Sequence, residues 1–463
     1  MSDIRALLRR TAELASDFIE SLDDRPVFPQ TSVDELRKAL GGPLPEEPTA
    51  PEDVVESLVA AADPGIVAMP SGRYFGFVIG GGLPAALAAD WLTSAWDQNA
   101  GLYVGGPSAS VVEQVVREWV CDLLGLPEDA SLGLVTGTQM GSVTALAAAR
   151  FRVLERVGWD AGRDGLSGAP RVRVLVGAQR HVTIDRALRL LGLGVPEVVP
   201  ADGQGRLDAE ALRAALAEGD GPTIVCAQAG EVNTGAFDPF DEIADASAAH
   251  GAWLHIDGAF GLWAAASPSL RHLVHGVERA DSWITDAHKW LNVPYDSALV
   301  LCADPEAHRA AMTISASYLI QDDSQTVRDQ VDWVPEFSRR ARGFAVYAAL
   351  RSLGRTGLAE LVERTCGCAR RFADGIVKLE GVELINDVVL NQVLFRFESD
   401  VRTDEVLKAV QEAGDVWMSG TTWNGQRSIR VSVSNWQTDD DEIDLALEAF
   451  RTASQSPAHA PAR

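Results

Sequence analysis

The feature that most constrains the fold is a regular alternation of short apolar runs with helical stretches across residues 105–304. The apolar runs have the length and composition of buried strands and occupy residues 171–176, 223–227, 252–256, 282–285 and 298–302. Strands that alternate with helices pack as a sheet covered by helical layers. The pattern therefore predicts a layered α/β domain.

Two of these runs end in groups that can do chemistry. Lys289 follows the run 281–284, and the ends of strands are where open α/β sheets bind ligands. A lysine amine attacks a carbonyl only when it is neutral, which requires apolar walls or a nearby cation. His288, Trp290 and Leu291 can supply both. The alternative is an ordinary solvated lysine that happens to follow a histidine.

Asp257 closes the run 252–256, 32 residues before Lys289. A carboxylate buried at a strand end needs a cationic partner, and a protonated pyridine nitrogen is one. The alternative is an aspartate that caps the next turn. Together with Lys289, Asp257 indicates pyridoxal phosphate, because the lysine would take the aldehyde and the aspartate would keep the ring nitrogen protonated.

Two further segments fit such a cofactor. Residues 136–142 are rich in glycine and precede an alanine-rich helix, so Thr138 and Gln139 are candidates for binding a phosphate at the helix N-terminus. An ordinary turn into a helix is the alternative. His181 follows the run 172–176, and an imidazole at a strand end can stack on a pyridine ring; a surface histidine is the other interpretation.

Characteristic segments extend over most of the chain: PSGRYFGF, WDQNAGLYVGGPSASVVE, LVTGTQMGSVTALAAAR, HVTIDRAL, GEVNTGAFDPFDEI, WLHIDGAFG, DAHKWLNVPYD and SIRVSVSNWQT. They resemble the group II pyridoxal-phosphate-dependent amino acid decarboxylases, the family of aromatic-L-amino-acid and glutamate decarboxylases, in its bacterial branch. The resemblance implies an α/β transferase of fold type I, similar to aspartate aminotransferase, with a mixed central sheet and a smaller C-terminal α+β domain. It also implies a homodimer.

The resemblance also assigns site residues. It implies that Lys289, His181 and Asp257 are catalytic, with Lys289 forming a Schiff base, and that Ala259 leaves room for the other face of the ring. His288 is expected at the phosphate or the substrate side, and Asn233 near the ring oxygen or the phosphate. The full cofactor-binding set is then Thr138, Gln139, His181, Asn233, Asp257, Ala259, His288 and Lys289.

Five further residues are candidates for contact with substrate. Arg430 is expected to act on a substrate carboxylate or on the position of a loop, with a surface arginine as the alternative. Tyr74, Phe75 and Tyr103 belong to an aromatic cluster for which interface packing is the competing interpretation. Tyr318 opens a polar segment that is predicted to form a loop over the site.

Composition limits the partners. There are 40 Lys plus Arg against 66 Asp plus Glu, and the net charge of −26 disfavours nucleic acid and anionic membrane surfaces. The five cysteines are scattered without disulfide or zinc spacing, so no metal is expected. Neither a leader nor an apolar span is apparent, which predicts a soluble, cytoplasmic protein whose partners are a small amino acid and a second copy of itself.

Five segments are predicted: a helical arm at 1–104 that wraps the partner subunit, a large cofactor-binding domain at 105–304, a loop and connector at 305–343, a small domain at 344–454 and a disordered tail at 455–463. An amphipathic opening helix that ends before Pro26 supports the arm. A helix is also expected to begin within residues 338–343.

The leading function is α-decarboxylation of an L-amino acid to its amine, with aromatic amino acids among the candidate substrates. Many members of the resembling family place a tyrosine on the loop to protonate the α-carbon, and residues 319–336 contain none. This departure keeps open decarboxylative oxidative deamination to an aldehyde, or another lyase reaction on the same scaffold. A binding relative without cofactor is a third class.

Overall fold

The structure is a computed structural model that describes residues 3–314 and 328–455. Its strands, in chain order, are Ser131–Val135 (β1), Arg173–Gly177 (β2), Glu197–Val199 (β3), Thr223–Gln228 (β4), Trp253–Asp257 (β5), Ser282–Asp286 (β6), Ala298–Cys302 (β7), Glu383–Leu384 (β8), Gln392–Arg396 (β9), Ser419–Trp423 (β10) and Gln426–Ser432 (β11).

The α-helices are Ile4–Glu20 (α1), Val33–Leu40 (α2), Pro51–Ala62 (α3), Pro84–Trp96 (α4), Pro107–Leu124 (α5), Thr138–Glu155 (α6), Ala161–Asp164 (α7), Val182–Leu190 (α8), Ala209–Ala217 (α9), Phe240–Ala249 (α10), Pro305–Met312 (α11), Gly343–Ile376 (α12), Asp400–Ala413 (α13) and Asp440–Gln455 (α14). Among the described residues, no helix is both long and apolar enough to cross a membrane.

In the described part of the chain, seven strands form the large sheet in the order β1-β7-β6-β5-β4-β2-β3. The strands β3, β2, β4, β5 and β6 run parallel, whereas β7 is antiparallel to β6 and to β1. The mixed α/β sheet is confirmed, and all five predicted runs are strands. The strands are buried on both faces because helices cover both sides, which explains their continuous apolar character.

The edge strand β1 is covered by the chain from residue 328 onward. The Arg328 guanidinium donates to the Leu132 carbonyl, and Arg339 Nη2 donates to the Leu134 carbonyl at 2.6 Å. Arg339 also pairs with Glu113, and both side chains are almost completely buried. The carbonyl groups of β1 that would otherwise lie unpaired at the edge of the sheet are thereby hydrogen-bonded.

The smaller C-terminal sheet is antiparallel, in the order β10-β11-β9-β8, and packs on α12, α13 and α14. Gly354, with φ of 59°, interrupts the helical geometry of α12. The helix that was expected to begin within residues 338–343 begins at the last of them, Gly343. The residues before it do not join the helix, because Arg340 forms an antiparallel bridge with Asn99.

The N-terminal segment carries many apolar side chains on its surface. The opening helix is α1, which is tied to α3 by an ion pair between Arg10 and Glu56. Large apolar side chains of this segment remain exposed, among them Ile4, Leu8, Val33, Leu44, Leu58, Trp91, Leu92 and Trp96. An exposed apolar surface of this extent is typical of a protein–protein interface.

Candidate active site

The candidate site lies at the C-terminal ends of the parallel strands β2, β4, β5 and β6. The pairing places Gln228 opposite Asp257 and Asp257 opposite Ile284, so the ends of three neighbouring strands lie side by side. His181 follows β2 and Lys289 follows β6. Asp257 raises the pKa of His181, and His181 and Lys289 lower the pKa of Asp257. The structure thus brings the three predicted catalytic residues together.

Asp257 is a buried carboxylate with little internal compensation. Its Oδ1 accepts a hydrogen bond from the Ala259 backbone N–H at 3.2 Å, and within the described residues no lysine, arginine or histidine forms an ion pair with it. Burial raises the pKa of Asp257, while His181 and Lys289 oppose that shift. A protonated ring nitrogen is the partner such a group requires, so Asp257 fits a pyridinium.

Lys289 is held by a second carboxylate at the end of β6. Its Nζ lies 3.0 Å from Asp286 Oδ2, and Thr138 donates to Asp286 through its backbone N–H and its hydroxyl, both at 2.8 Å. Burial alone would raise the pKa of Asp286, but Lys289 and His288 outweigh it and hold that pKa below its usual range. Asp286 is therefore ionised and fixes the lysine at the N-terminus of α6.

Burial favours the neutral form of the two imidazoles of the site. His288 Nδ1 accepts from the Ser297 backbone N–H at 3.2 Å, its Nε2 lies 3.4 Å from Asp286, and its ring stacks on Tyr295 with centroids 4.2 Å apart. Burial lowers the pKa of both His288 and His181. A neutral His181 can pack flat against an aromatic ring without a charge penalty.

The segment predicted to bind phosphate forms the first turn of α6, with Gly137 as its N-cap. The Thr138 hydroxyl donates its hydrogen bond to Asp286. Gln139 donates from Nε2 to the Thr183 carbonyl at 3.2 Å, and its Oε1 is buried without a protein partner. The N-terminus of α6 suits an anion, but the Asp286 carboxylate already accepts hydrogen bonds from Thr138 there. Phosphate contacts by Thr138 and Gln139 therefore stay predictions.

Glu231 caps a buried turn after β4. Its carboxylate accepts from the backbone N–H groups of Asn233 and Thr234 at 2.7 and 2.8 Å and from Asn233 Nδ2 at 2.9 Å. The side-chain Oδ1 of Asn233 accepts a hydrogen bond from the Thr421 hydroxyl at 3.0 Å. Asn233 thus joins the two sheets, and its role toward the cofactor stays a prediction.

Arg430 is a buried cation beside this turn. Its Nη1 donates to the Val232 carbonyl at 3.2 Å, its Nη2 lies 3.4 Å from the Ser419 hydroxyl, and its Nε has no partner. The described carboxylates form no ion pair with it, although its charge reaches His181. A surface arginine is therefore excluded, since the side chain is only 8% exposed.

The aromatic candidates separate into different roles. Trp417 stacks on Tyr74 with ring centroids 5.1 Å apart and on Phe77 at 5.7 Å, and Phe77 is 55% exposed. The prediction that Phe75 contacts substrate is wrong, because this ring is fully buried in the core of the smaller sheet, where residues 73–75 pair with Trp417.

The two remaining substrate candidates lie beside or within the loop segment. Tyr103 donates its backbone N–H to Asp329 at 2.7 Å, next to that segment, and its contact with substrate stays a prediction. Tyr318 lies outside the described residues.

The sheet order and the convergence of lysine, buried aspartate and histidine at its strand ends define the class, the pyridoxal-phosphate enzymes of fold type I. Residues 34–398 match the family model described as the pyridoxal-dependent decarboxylase conserved domain, and the chain belongs to this family. Pyridoxal 5′-phosphate is its cofactor, and it is a carbon–carbon lyase that decarboxylates an amino acid.

Its relatives include enzymes with two kinds of product. The chain is 26% identical to tryptophan decarboxylase 1 of Oryza sativa subsp. japonica over 97% of this chain and 93% of the relative. It is 25% identical to phenylacetaldehyde synthase of Petunia hybrida over 95% and 92%. The crystal structure of Oryza sativa TDC with PLP and tryptamine superposes with a TM-score of 0.93, at 24% identity and 99% coverage of both chains.

Three residues of the site were missed from the sequence. Asp286 obeys the same strand-end rule that drew attention to Asp257, so its position three residues before Lys289 was an available signal. Tyr295 and Trp417 gave no local signal. They reach the site through a turn and through pairing between segments more than 300 residues apart.

Proposed function

We propose that this enzyme removes the α-carboxylate of an L-amino acid with an aromatic side chain and releases the amine. The family supplies the reaction class. The aromatic preference rests on the aromatic side chains near the candidate site: Trp417 stacks on Tyr74, and Tyr295 stacks on the histidine adjacent to Lys289. Desolvation raises the pKa of Tyr295, and the Asp286 carboxylate and the Tyr74 hydroxyl raise it further.

When bound, pyridoxal phosphate supplies an aldehyde for the amino group and a ring that accepts the electrons released with carbon dioxide. Asp257 holds a proton on the ring nitrogen, because a buried carboxylate gains more from a cation than from any neutral partner. Asp286 orients Lys289 through the contact between its Oδ2 and the lysine Nζ. His181 would pack against one face of the bound ring and exclude water from it.

Arg430 supports recognition of the substrate carboxylate. Its guanidinium is buried without a carboxylate partner in the described chain, and its Nε–H is free to donate. A cation at this place can fix which bond at the α-carbon stands perpendicular to the ring, and this geometry selects decarboxylation.

We further propose that the enzyme works as a cytoplasmic homodimer. The exposed apolar side chains of α1, α2 and α4 support this assembly, since burying them against a second copy removes them from water. The expected contribution of residues 1–104 to the partner subunit is part of the same proposal.

A second candidate is decarboxylation with oxidative deamination to an aldehyde. Two observations favour considering it: 25% identity to a phenylacetaldehyde synthase and the absence of tyrosine from residues 319–336. The products differ, since this reaction consumes dioxygen and releases ammonia and hydrogen peroxide together with the aldehyde.

The test is a screen of the twenty amino acids, with carbon dioxide, amine, aldehyde and peroxide measured for each. Amine and carbon dioxide in equal amounts from an aromatic amino acid are expected. Lys289→Ala should abolish turnover, and borohydride reduction of the parent should attach the cofactor to the peptide that contains Lys289. Aldehyde as the sole product, or label on another peptide, would contradict the proposal.

A further inference from the structure

Tyr295 is the one ring in the described chain that stacks on the histidine adjacent to the catalytic lysine. The His288 and Tyr295 rings lie 4.2 Å apart at an interplanar angle of 27°. The Tyr295 side chain is 56% exposed, although His288, Asp286 and Leu291 around it are buried. Tyr295 is therefore an exposed ring held against a buried histidine that lies one residue away from Lys289 in the chain.

The turn that carries Tyr295 is fixed from both sides. Asn292 donates from Nδ2 to the carbonyls of Trp290 and Ser434, and its Oδ1 accepts from the backbone N–H groups of Gly81 and Trp436, all within 3.0 Å. This turn therefore joins the lysine segment, the smaller sheet and the segment before α4.

On the other side, Arg342 Nε donates to Asp296 Oδ1 at 2.9 Å. Because Asn292 before the tyrosine and Asp296 after it are both held by hydrogen bonds, the backbone that carries the Tyr295 hydroxyl is fixed in position.

The hydroxyl is also chemically available. Within the described residues no hydrogen bond occupies it, in contrast to the His288 ring, which is committed to Ser297 and faces Asp286. Although more than half of the residue's surface is exposed, desolvation of the hydroxyl, followed by the Asp286 carboxylate and the Tyr74 hydroxyl, raises the pKa of Tyr295, so the phenol keeps its proton.

Decarboxylation to an amine requires a proton at the α-carbon in place of the lost carboxylate. We propose that Tyr295 is a catalytic residue that delivers this proton. In this step the O–H bond of the phenol breaks, the electron pair left by the departing carbon dioxide forms the new C–H bond, and the phenolate recovers a proton from water. The proposal deepens the decarboxylase function and rests on it.

The same step determines which product leaves the site. If no proton arrives, dioxygen can oxidise the electron-rich α-carbon, and hydrolysis then gives the aldehyde and ammonia while dioxygen is reduced to hydrogen peroxide. A hydroxyl provided by the lysine turn would therefore let the enzyme form amine although residues 319–336 lack tyrosine.

The decisive variant is Tyr295→Phe, which keeps the ring on His288 and removes only the hydroxyl. L-Phenylalanine, L-tyrosine and L-tryptophan are the probes, with carbon dioxide, amine, aldehyde and peroxide measured separately. Amine formation is expected to fall by about 10²–10⁴-fold, because that is the usual contribution of a positioned general acid. The ratio of amine to carbon dioxide should fall and aldehyde should rise, with KM and the absorption of bound cofactor nearly unchanged.

Tyr347→Phe is the matched control, because Tyr347 also loses only a hydroxyl while its ring stays on Trp119, at 5.0 Å and away from the strand ends. Tyr295→His adds a second variant with a stacking ring and an N–H group, and it should recover part of the amine lost in Tyr295→Phe.

An amine yield per carbon dioxide in Tyr295→Phe equal to that of the parent would overturn the assignment and leave the decarboxylase function intact. Equal amine yields from the phenylalanine and histidine variants would overturn it as well. A parent that releases no carbon dioxide from any amino acid would overturn both the function and the assignment.

Discussion

At the scale of single residues, Asp257 is the group whose charge the chemistry depends on most directly. Asp257→Asn should retain bound cofactor and lose about 10²-fold or more in kcat, since each unit by which the ring nitrogen's pKa falls is worth about 1.4 kcal/mol, or tenfold. Cofactor absorbance and kcat, measured on the same preparation, should separate. Asp281→Asn, at the opposite end of β6 and bonded to the Leu254 N–H, is the control. Parental turnover in Asp257→Asn would contradict this role.

The sequence predicts those site residues whose chemistry is attached to a strand end. Lys289, Asp257 and His181 each follow an apolar run, and parallel strands bring such ends to one edge of the sheet. The aromatic residues behave differently because their position depends on tertiary pairing. Phe75 and Phe77 are two residues apart in an irregular segment, yet one is buried in the smaller core and the other is exposed beside Trp417.

At the scale of elements, the sequence predicts the central strands better than the edges. The strands β4, β5 and β6 are buried on both faces and therefore read as continuous apolar runs. The edge strand β3 has only three residues, and β1 contains a glycine against which the Trp333 carbonyl packs. Contacts with the chain after residue 327 stabilise β1, and no local pattern encodes them.

The covered edge of β1 gives a prediction about stability. Glu113→Ala should lower the free energy of unfolding by about 3–5 kcal/mol, because it leaves the buried Arg339 guanidinium without its counter-charge. Denaturant unfolding monitored by circular dichroism measures this. Glu13→Ala, which breaks an exposed pair with Arg10, should cost less than about 1 kcal/mol. Similar losses in the two variants would mean that the buried pair does not hold the edge.

His308 makes the same region sensitive to acid. Its Nδ1 lies 2.8 Å from the Ser131 hydroxyl and its Nε2 2.9 Å from the Trp333 carbonyl, and burial lowers its pKa to about 3. Below pH 6.5 the His308 imidazole takes up a proton in the unfolded chain. In the folded chain the same imidazole stays neutral down to about pH 3. The unfolding free energy should therefore fall as pH drops through that window, by up to about 1.4 kcal/mol per pH unit for this group.

His308→Gln should flatten this slope, as measured by denaturant unfolding between pH 4 and pH 7. His250→Gln, at an exposed helix end, is the control. A slope that is unchanged in His308→Gln would show that other groups cause the loss of stability in acid.

At the scale of the whole molecule, the surface combines a net charge of −26 with an apolar N-terminal segment. Two copies repel each other at long range, while the exposed side chains of α1, α3 and α4 gain free energy when they leave water. Salt screens the repulsion and leaves the apolar term in place. The proposed dimer should therefore tighten as ionic strength rises, in contrast to an assembly held by ion pairs.

Replacing Leu8 and Leu58 together by glutamate should convert the dimer into a monomer, because two charges would enter an interface that must be apolar. Leu8 is 59% and Leu58 is 56% exposed, so neither change removes a core contact within the chain. Val195→Glu, at a position 85% exposed outside the N-terminal segment, should leave the assembly intact. Sedimentation equilibrium at low and high salt measures the mass of each, and circular dichroism checks the fold. A parent that sediments as a monomer at both salt concentrations would contradict the dimer and leave the N-terminal apolar surface to a different partner.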